Sequence, residues 1–381
     1  MQQIYNIIYC YFVIFSVFMI NVVFCGSSDF SMPSLNLIAK DAQFDLKCIY
    51  TQHPQKSGRG MKETKTIVHN FADANLINVR TPIKFSKDDE LFLQSLNIDF
   101  LIVVSYGIIL PNYILKTAKY CLNIHPSALP KYRGASPIET SIQNNDQHTK
   151  VCIIKMDAKM DSGDIMYESQ DIDIYNKTAT EISEMTSNIG AIALVELIKN
   201  LSSNLYLVKN QNISINYNNE TYHGIICQKP QYHNSATFVK KIQKEDLFLP
   251  PQDINKLATR DIFCKILSLT TFGFFRTTIA NKICKINTAI EVDFNLIIKN
   301  HKNKSLEYNL TEFNIENIKN KYQNNQDTLK EIFTILKINY KQLFSIIQHS
   351  LYCKDGIIIP LEITPENGKK MLFKDFVNGI R

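Results

Sequence analysis

The stretch DFLIVVSYGIILPNYILKTAKYCLNIHP, residues 99–126, carries two apolar, β-branched runs, Asp99–Gly107 and Tyr120–Pro126, each of strand length. Runs of the same kind lie on either side: INVVFC from Ile20, FDLKCIYT from Phe44, and KVCIIKMD from Lys150 to Asp157. Helical patterns separate them. One begins near Asp29, one follows Ser136 as N-cap and Pro137 at the first helical position, and the longest, Lys177–Leu201, is opened by Thr178 or Thr180. Strands alternating with helices predict βαβ units, and therefore an α/β domain with a Rossmann-like, mostly parallel sheet over residues 20–204.

Beyond it the pattern changes. Residues 205–235 are polar and rich in Asn and Tyr, the composition of a connecting segment. From residue 236 to 381, ATFVKKI, FGFFRTTIANKICKI and DGIIIPLEIT predict short strands with turns between them, a small β-rich domain for which the expectation is a C-terminal β-barrel of OB-like form. An Asn- and Lys-rich stretch near 299–345 reads as an insertion in it, part helical and part disordered. At 381 residues, two domains are the expectation. The charge divides in the same way: residues 1–204 hold 18 Lys and Arg against 20 Asp and Glu, residues 205–381 hold 24 against 16, so the halves carry −2 and +8. A basic second half fits an anionic partner such as nucleic acid, and on charge alone fits a solvated lysine surface equally well.

Nine cysteines, with no C-x-x-C pair, argue against a zinc site and for a reducing compartment. Residues 1–19 are apolar and uncharged, yet lack the positive start of a secretory signal. They read as an apolar extension or as residues preceding a true start at Met19, with a targeting or membrane segment as the alternative.

Along a strand, Asn123 and His125 point to one face and Leu122 and Ile124 to the other, so two polar groups converge where Pro126 ends the pairing. The spacing alone also fits a satisfied polar pair at a strand end. A second group shifts the balance: after Lys150–Asp157 comes a loop with Asp157, Asp161 and Asp164, delivered, if the strands run parallel, to the same sheet edge. An acid beside an imidazole, with an amide to receive a developing oxyanion, suits acyl transfer. Ser127 sits in no G-x-S-x-G elbow, which weakens a serine-nucleophile reading.

CLNIHPSALPKYRGASPIETSI followed by MDAKMDSGDIMYES resembles the folate-dependent formyltransferases, whose pattern joins an N-x-H pair, an S-L-L-P loop, an R-G turn and an L-D-T-G-D loop. NVVFCGSSDFSMPSL, VVSYGIILP, ATFVKKIQKED and the closing CKDGIIIPLEITPENGKKMLFKDFVNG are similar to further segments of that family. Three features depart from it: Ala128 stands for a leucine of the folate loop, SLTTFGFF replaces an aromatic F-x-P-W-P stretch, and the insertion after residue 295 is atypical.

The resemblance implies formyl transfer from 10-formyltetrahydrofolate to the α-amine of methionine on initiator tRNA, without a metal. By the same resemblance, Asn123, His125 and Asp161 are the catalytic residues. Ser127, Ala128, Leu129 and Pro130 line the folate site, with backbone near Tyr106–Pro111. The loop TQHPQKSGRGMKETK, Thr51–Lys65, resembles the family's tRNA-holding loop, with Arg59 as the contact. Lys240, Lys241, Lys244, Lys282 and Lys285 are candidates for the phosphate backbone. The resemblance further implies a monomer in a bacterial cytoplasm, with an organelle as the alternative and no stable membrane partner. The competing readings are a formyltransferase acting on a small amine and a silent tRNA-binding relative.

Overall fold

The computed structural model describes residues 19–57, 62–203, 210–293 and 345–380. Residues 1–18, the Arg59 position and nearly all of the 299–345 insertion lie outside the described residues. The chain divides into two compact units. The first takes residues up to Pro137, then His148–Asp173 and Glu181–Lys240; the second takes Ile138–Gln147, Ile174–Thr180 and the chain from Lys241.

The first unit is built on β1 (Ile20–Gly26), β2 (Phe44–Tyr50), β3 (Val79–Arg80), β4 (Ile98–Val104), β5 (Ala118–His125), β6 (Cys152–Lys155), β7 (Ile165–Ser169), β8 (Gln211–Tyr217) and β9 (Glu220–Lys229). They form one nine-stranded sheet in the order β8-β9-β7-β6-β5-β4-β1-β2-β3. The five strands from β3 to β5 are parallel, which gives the expected Rossmann-like half. Strand alternation builds its two cores. Val22 and Phe24 of β1 enter one apolar cluster with Leu35 and Ile38 of α1 (Met32–Lys40) and Ile189 and Leu194 of the long helix Ala179–Ser202. Val23 and Cys25 enter the other, beneath Leu93 of the helix Lys87–Ser95. Each buried Val, Leu, Ile or Phe contributes about 1.5–3 kcal/mol, and helices on both faces explain why these strands are apolar throughout.

The helix starts follow from local chemistry. Thr66 caps the helix Ile67–Ala74 by accepting from the His69 N–H at 3.0 Å. Ser86 and Asp89 form a reciprocal capping box ahead of Lys87–Ser95.

Two expectations need correction. The strand Lys150–Asp157 was taken as parallel to its neighbour, and β6 instead pairs antiparallel with β5, Cys152 opposite His125 and Lys155 opposite Leu122. The segment 205–235 was taken as connecting, and its described part forms the hairpin β8–β9, whose second strand pairs with β7 and extends the sheet. The first unit therefore runs on to Lys240 rather than ending at 204. ATFVKKI supplies only the two-residue strand Phe238–Val239, which pairs in parallel with Arg133–Gly134.

The second unit carries an antiparallel sheet of β10 (Arg276–Ile279), β11 (Lys282–Asp293), β12 (Leu351–Tyr352), β13 (Gly356–Pro365) and β14 (Met371–Leu372). Asn281, at φ 61°, turns the β10–β11 hairpin. Helix Thr259–Ser268 packs on this sheet, with Ile262, Cys264 and Ile266 among its buried residues, a helix that sequence patterning did not anticipate. From it Arg260 donates to Asn145, Asn176 and Glu291 and lies 4.7 Å over the Tyr175 ring, tying three separate segments together. Among the described residues no helix is long and apolar enough to cross a membrane.

Candidate active site

Strand β5 turns Asn123 and His125 to the face that Cys121 occupies, opposite the core residues Leu122 and Ile124. His125 is only 4% exposed and Asn123 is half-buried. The imidazole has a defined hydrogen-bonding state. Its Nε2 lies 2.9 Å from the carbonyl oxygen of Tyr132, which can only accept. A hydrogen therefore sits on Nε2, so in the neutral ring it is Nδ1 that carries the lone pair. Tyr132 holds its carbonyl there at φ 62°, and its own N–H donates to Thr237 Oγ1 at 2.8 Å.

Asp161 meets this pair from the loop between β6 and β7. Because these strands are antiparallel, the loop doubles back over β5 instead of extending beyond a shared edge. Lys155 N–H donates to the Asp164 carbonyl at 2.9 Å. At Gly163 a Cβ would come within 1.7 Å of the Lys155 carbonyl oxygen, so only glycine permits the close fold. Asp161 itself adopts φ 49°, a left-handed conformation that Asp tolerates better than most residues. Its Oδ2 lies 3.7 Å from His125 Nδ1 and accepts from the Gly134 N–H at 2.8 Å. Its Oδ1 accepts from Asn123 Nδ2 across a long 3.4 Å. Asp157, expected in the same loop, instead accepts from Ser162 Oγ at 2.6 Å and shapes the loop, while Asp164 accepts from Gln228 Nε2.

Chemically, Nδ1 can act as a base whose protonated form faces a carboxylate, and Asn123, which gives one N–H to that carboxylate, has a second to donate. Competing nucleophiles are muted. Burial pushes the Cys152 thiol, opposite His125, up to about 12, with a smaller opposing effect from a Leu129 backbone hydrogen bond. Burial likewise pushes Cys121 up to about 12. Ser127, fully buried, donates its hydroxyl hydrogen to the Lys131 carbonyl at 2.7 Å. Among the described residues no three His, Cys, Asp or Glu side chains gather as metal ligands.

Ser127 to Pro130 follow His125 across Pro126, with Leu129 packed against Cys152 and Ile154 and Ala128 half-buried. The loop after β4 is held by Tyr106, whose carbonyl accepts from Ser27 Oγ and Gln52 Nε2. Tyr132 and Gly134 escaped sequence reasoning as site residues because they act through backbone atoms, which no side-chain pattern reveals. Arg59 cannot be placed against these residues, since it lies outside those described.

A family model described as formyl transferase matches residues 19–198. The methionyl-tRNA formyltransferase of Rickettsia bellii is 32% identical over 228 residues, 59% of this chain and 67% of that protein. That of Anaplasma marginale is 36% identical over 184 residues, 48% of this chain and 61% of that protein. The matches thus span roughly two thirds of those relatives' length or somewhat less. Among solved structures, HypX from Aquifex aeolicus in complex with tetrahydrofolic acid shares the fold, with a TM-score of 0.51 at 10% identity, over 95% of this chain and 47% of that one.

Proposed function

The chain belongs to the formyl transferase family, and from that premise we propose that it transfers a formyl group from 10-formyltetrahydrofolate to the α-amine of methionine on initiator tRNA. The observation that carries this reading is the meeting of Asn123, His125 and Asp161, with the carboxylate 3.7 Å from the lone-pair nitrogen of a buried imidazole. His125 Nδ1 takes the proton of the amine as its nitrogen bonds to the formyl carbon. Asn123 donates to the oxygen that gains negative charge, and Asp161 stabilises the imidazolium until the proton is passed on. The folate supplies the formyl group and receives that proton at the nitrogen left behind.

The residues present fit such a co-substrate. Ser127, Ala128, Leu129 and Pro130 adjoin His125, and Ile109, on the loop after β4, is 81% exposed, an apolar surface suited to a flat heterocycle. For the tRNA, Gln55–Ser57 and Lys62–Thr64 pair as a hairpin, and Arg59 belongs to the four residues between them. The +8 of residues 205–381 suits a phosphate backbone. Bacterial relatives favour a bacterial cytoplasm as the place of action, with the enzyme acting as a monomer.

The test is transfer by the His125→Ala and Asn123→Ala variants. Each is expected to lose transfer while still binding folate, and parental rates in His125→Ala would sink the reading.

A further inference from the structure

Two carbonyls of the Asp161 loop share one donor. Gln231 Nε2 donates to Asp161 O at 2.9 Å and to Gly163 O at 2.8 Å. Gln231 is 6% exposed and lies two residues beyond β9, in the stretch that composition marked as connecting. The orientation of its amide is fixed by chemistry. Arg133 Nε and Nη2 donate to Gln231 Oε1 at 3.1 and 2.7 Å, and a guanidinium has only donors. The NH2 side must therefore face the two carbonyls, and all four hydrogen-bonding positions of the amide are filled.

Arg133 is itself 4% exposed, and its Nη2 also donates to His233 Nδ1 at 3.0 Å. Its neighbour in the chain is Gly134, whose N–H holds the Asp161 carboxylate. Backbone pairing with Phe238–Val239 anchors both, Arg133 N–H donating to Thr237 O at 2.9 Å. Asp161 is thus gripped at two points, by Gln231 at its backbone and by Gly134 at its carboxylate, with Arg133 joining the grips. The grip is needed because φ 49° is a sparsely populated conformation for a residue with a side chain. It also turns two loop carbonyls toward one spot, where they need a donor.

We propose that Gln231 is a positioning residue for Asp161: its amide holds the loop in the one conformation that places the carboxylate beside His125 Nδ1, and so governs the rate of transfer rather than the binding of substrates. The proposal rests on the assignment of His125 and Asp161 as an acid–base pair. A misplacement of about 1 Å in such a pair costs up to about 10²-fold in rate.

The experiment measures steady-state transfer by the full chain for Gln231→Leu, Gln231→Glu, Asp161→Asn and the double variant Gln231→Glu/Asp161→Asn, with thermal midpoints alongside. Gln231→Leu also strands the buried Arg133, so it can fail to fold. Gln231→Glu keeps the one acceptor for Arg133, whose guanidinium balances the added charge, and sets an oxygen against the two loop carbonyls in place of their donor, so the chain still folds with a midpoint lowered by a few degrees. In it kcat is expected to fall about 10- to 100-fold, with the KM of either substrate within about threefold of the parent's. In the Asp161→Asn background the same change is expected to alter kcat by no more than about twofold, because the group it aims has lost its charge. Parental kcat in Gln231→Glu, or a loss that multiplies with that of Asp161→Asn, overturns the proposal alone. Parental kcat in Asp161→Asn overturns the acid–base reading beneath it, and the proposal with it.

Discussion

Replacing Asp161 by Asn removes the charge beside His125, together with the long hydrogen bond from Asn123, whose Nδ2 would then face another NH2. Asn tolerates the left-handed φ of 49° as well as Asp does, and its amide oxygen can still accept from the Gly134 N–H, so the loop keeps its shape. The larger loss is the attraction between a carboxylate and an imidazolium 3.7 Å apart. At an effective dielectric of about 20 that attraction is about 4 kcal/mol, equivalent to about 10³ in rate if the transition state realises all of it. The Asp161 side chain is 15% exposed and so partly screened. The expected loss is therefore between about 10²- and 10³-fold. Single-turnover transfer at saturating folate and charged tRNA reads the chemical step directly. Folate binding and the thermal midpoint are expected to stay at the parent's values. A rate within about threefold of the parent's would refute the charge argument.

Three further outcomes follow from other parts of the molecule. Gly163→Ala drives a Cβ into the Lys155 backbone, so the loop must lift from β6. Stability is expected to fall by about 1–3 kcal/mol, with most activity lost; an unchanged midpoint and rate would contradict the close fold. Burial pushes the Asp89 carboxyl up, but hydrogen bonds from Ser86, Arg80 and Tyr50 outweigh it and hold it below its ordinary value. A depressed acid stabilises the fold above its unfolded value, about pH 4, and that contribution is lost as pH falls through the folded value, so Asp89→Asn is expected to blunt acid unfolding below about pH 4. The same acid limb in the variant would contradict this. Arg59→Ala is expected to raise the KM for tRNA and leave folate binding intact; equal loss of both would count against the loop's role.

How much was legible in advance depended on which atoms act. Asn123 and His125 could be read because side chains alternate along a strand, and a polar pair at i and i+2 in an apolar run stands out. Asp161 was visible as a loop acid, but its route was not. Apolar alternation carries no strand direction, so β6 could not be seen to run against β5. The hairpin β8–β9 was hidden by composition: β8 is the edge strand of the sheet, and six of its seven residues, all but Ile215, are half-buried or exposed, a pattern close to that of a loop. Tyr132 and Gly134 contribute a carbonyl and an N–H, which every residue but proline possesses. Gln231 could be recognised only once Arg133, nearly a hundred residues earlier, was seen to face it.

The central claim is transfer of a formyl group to aminoacylated tRNA, and its direct test is the purified full chain with 10-formyltetrahydrofolate and charged initiator tRNA, followed by hydrolysis of the ester and mass measurement of the released amino acid. N-formylmethionine is expected from methionyl-tRNA, with free methionine left unmodified under the same conditions. Unformylated methionine from the tRNA, in a reaction where the folate is bound and stable, would contradict the account.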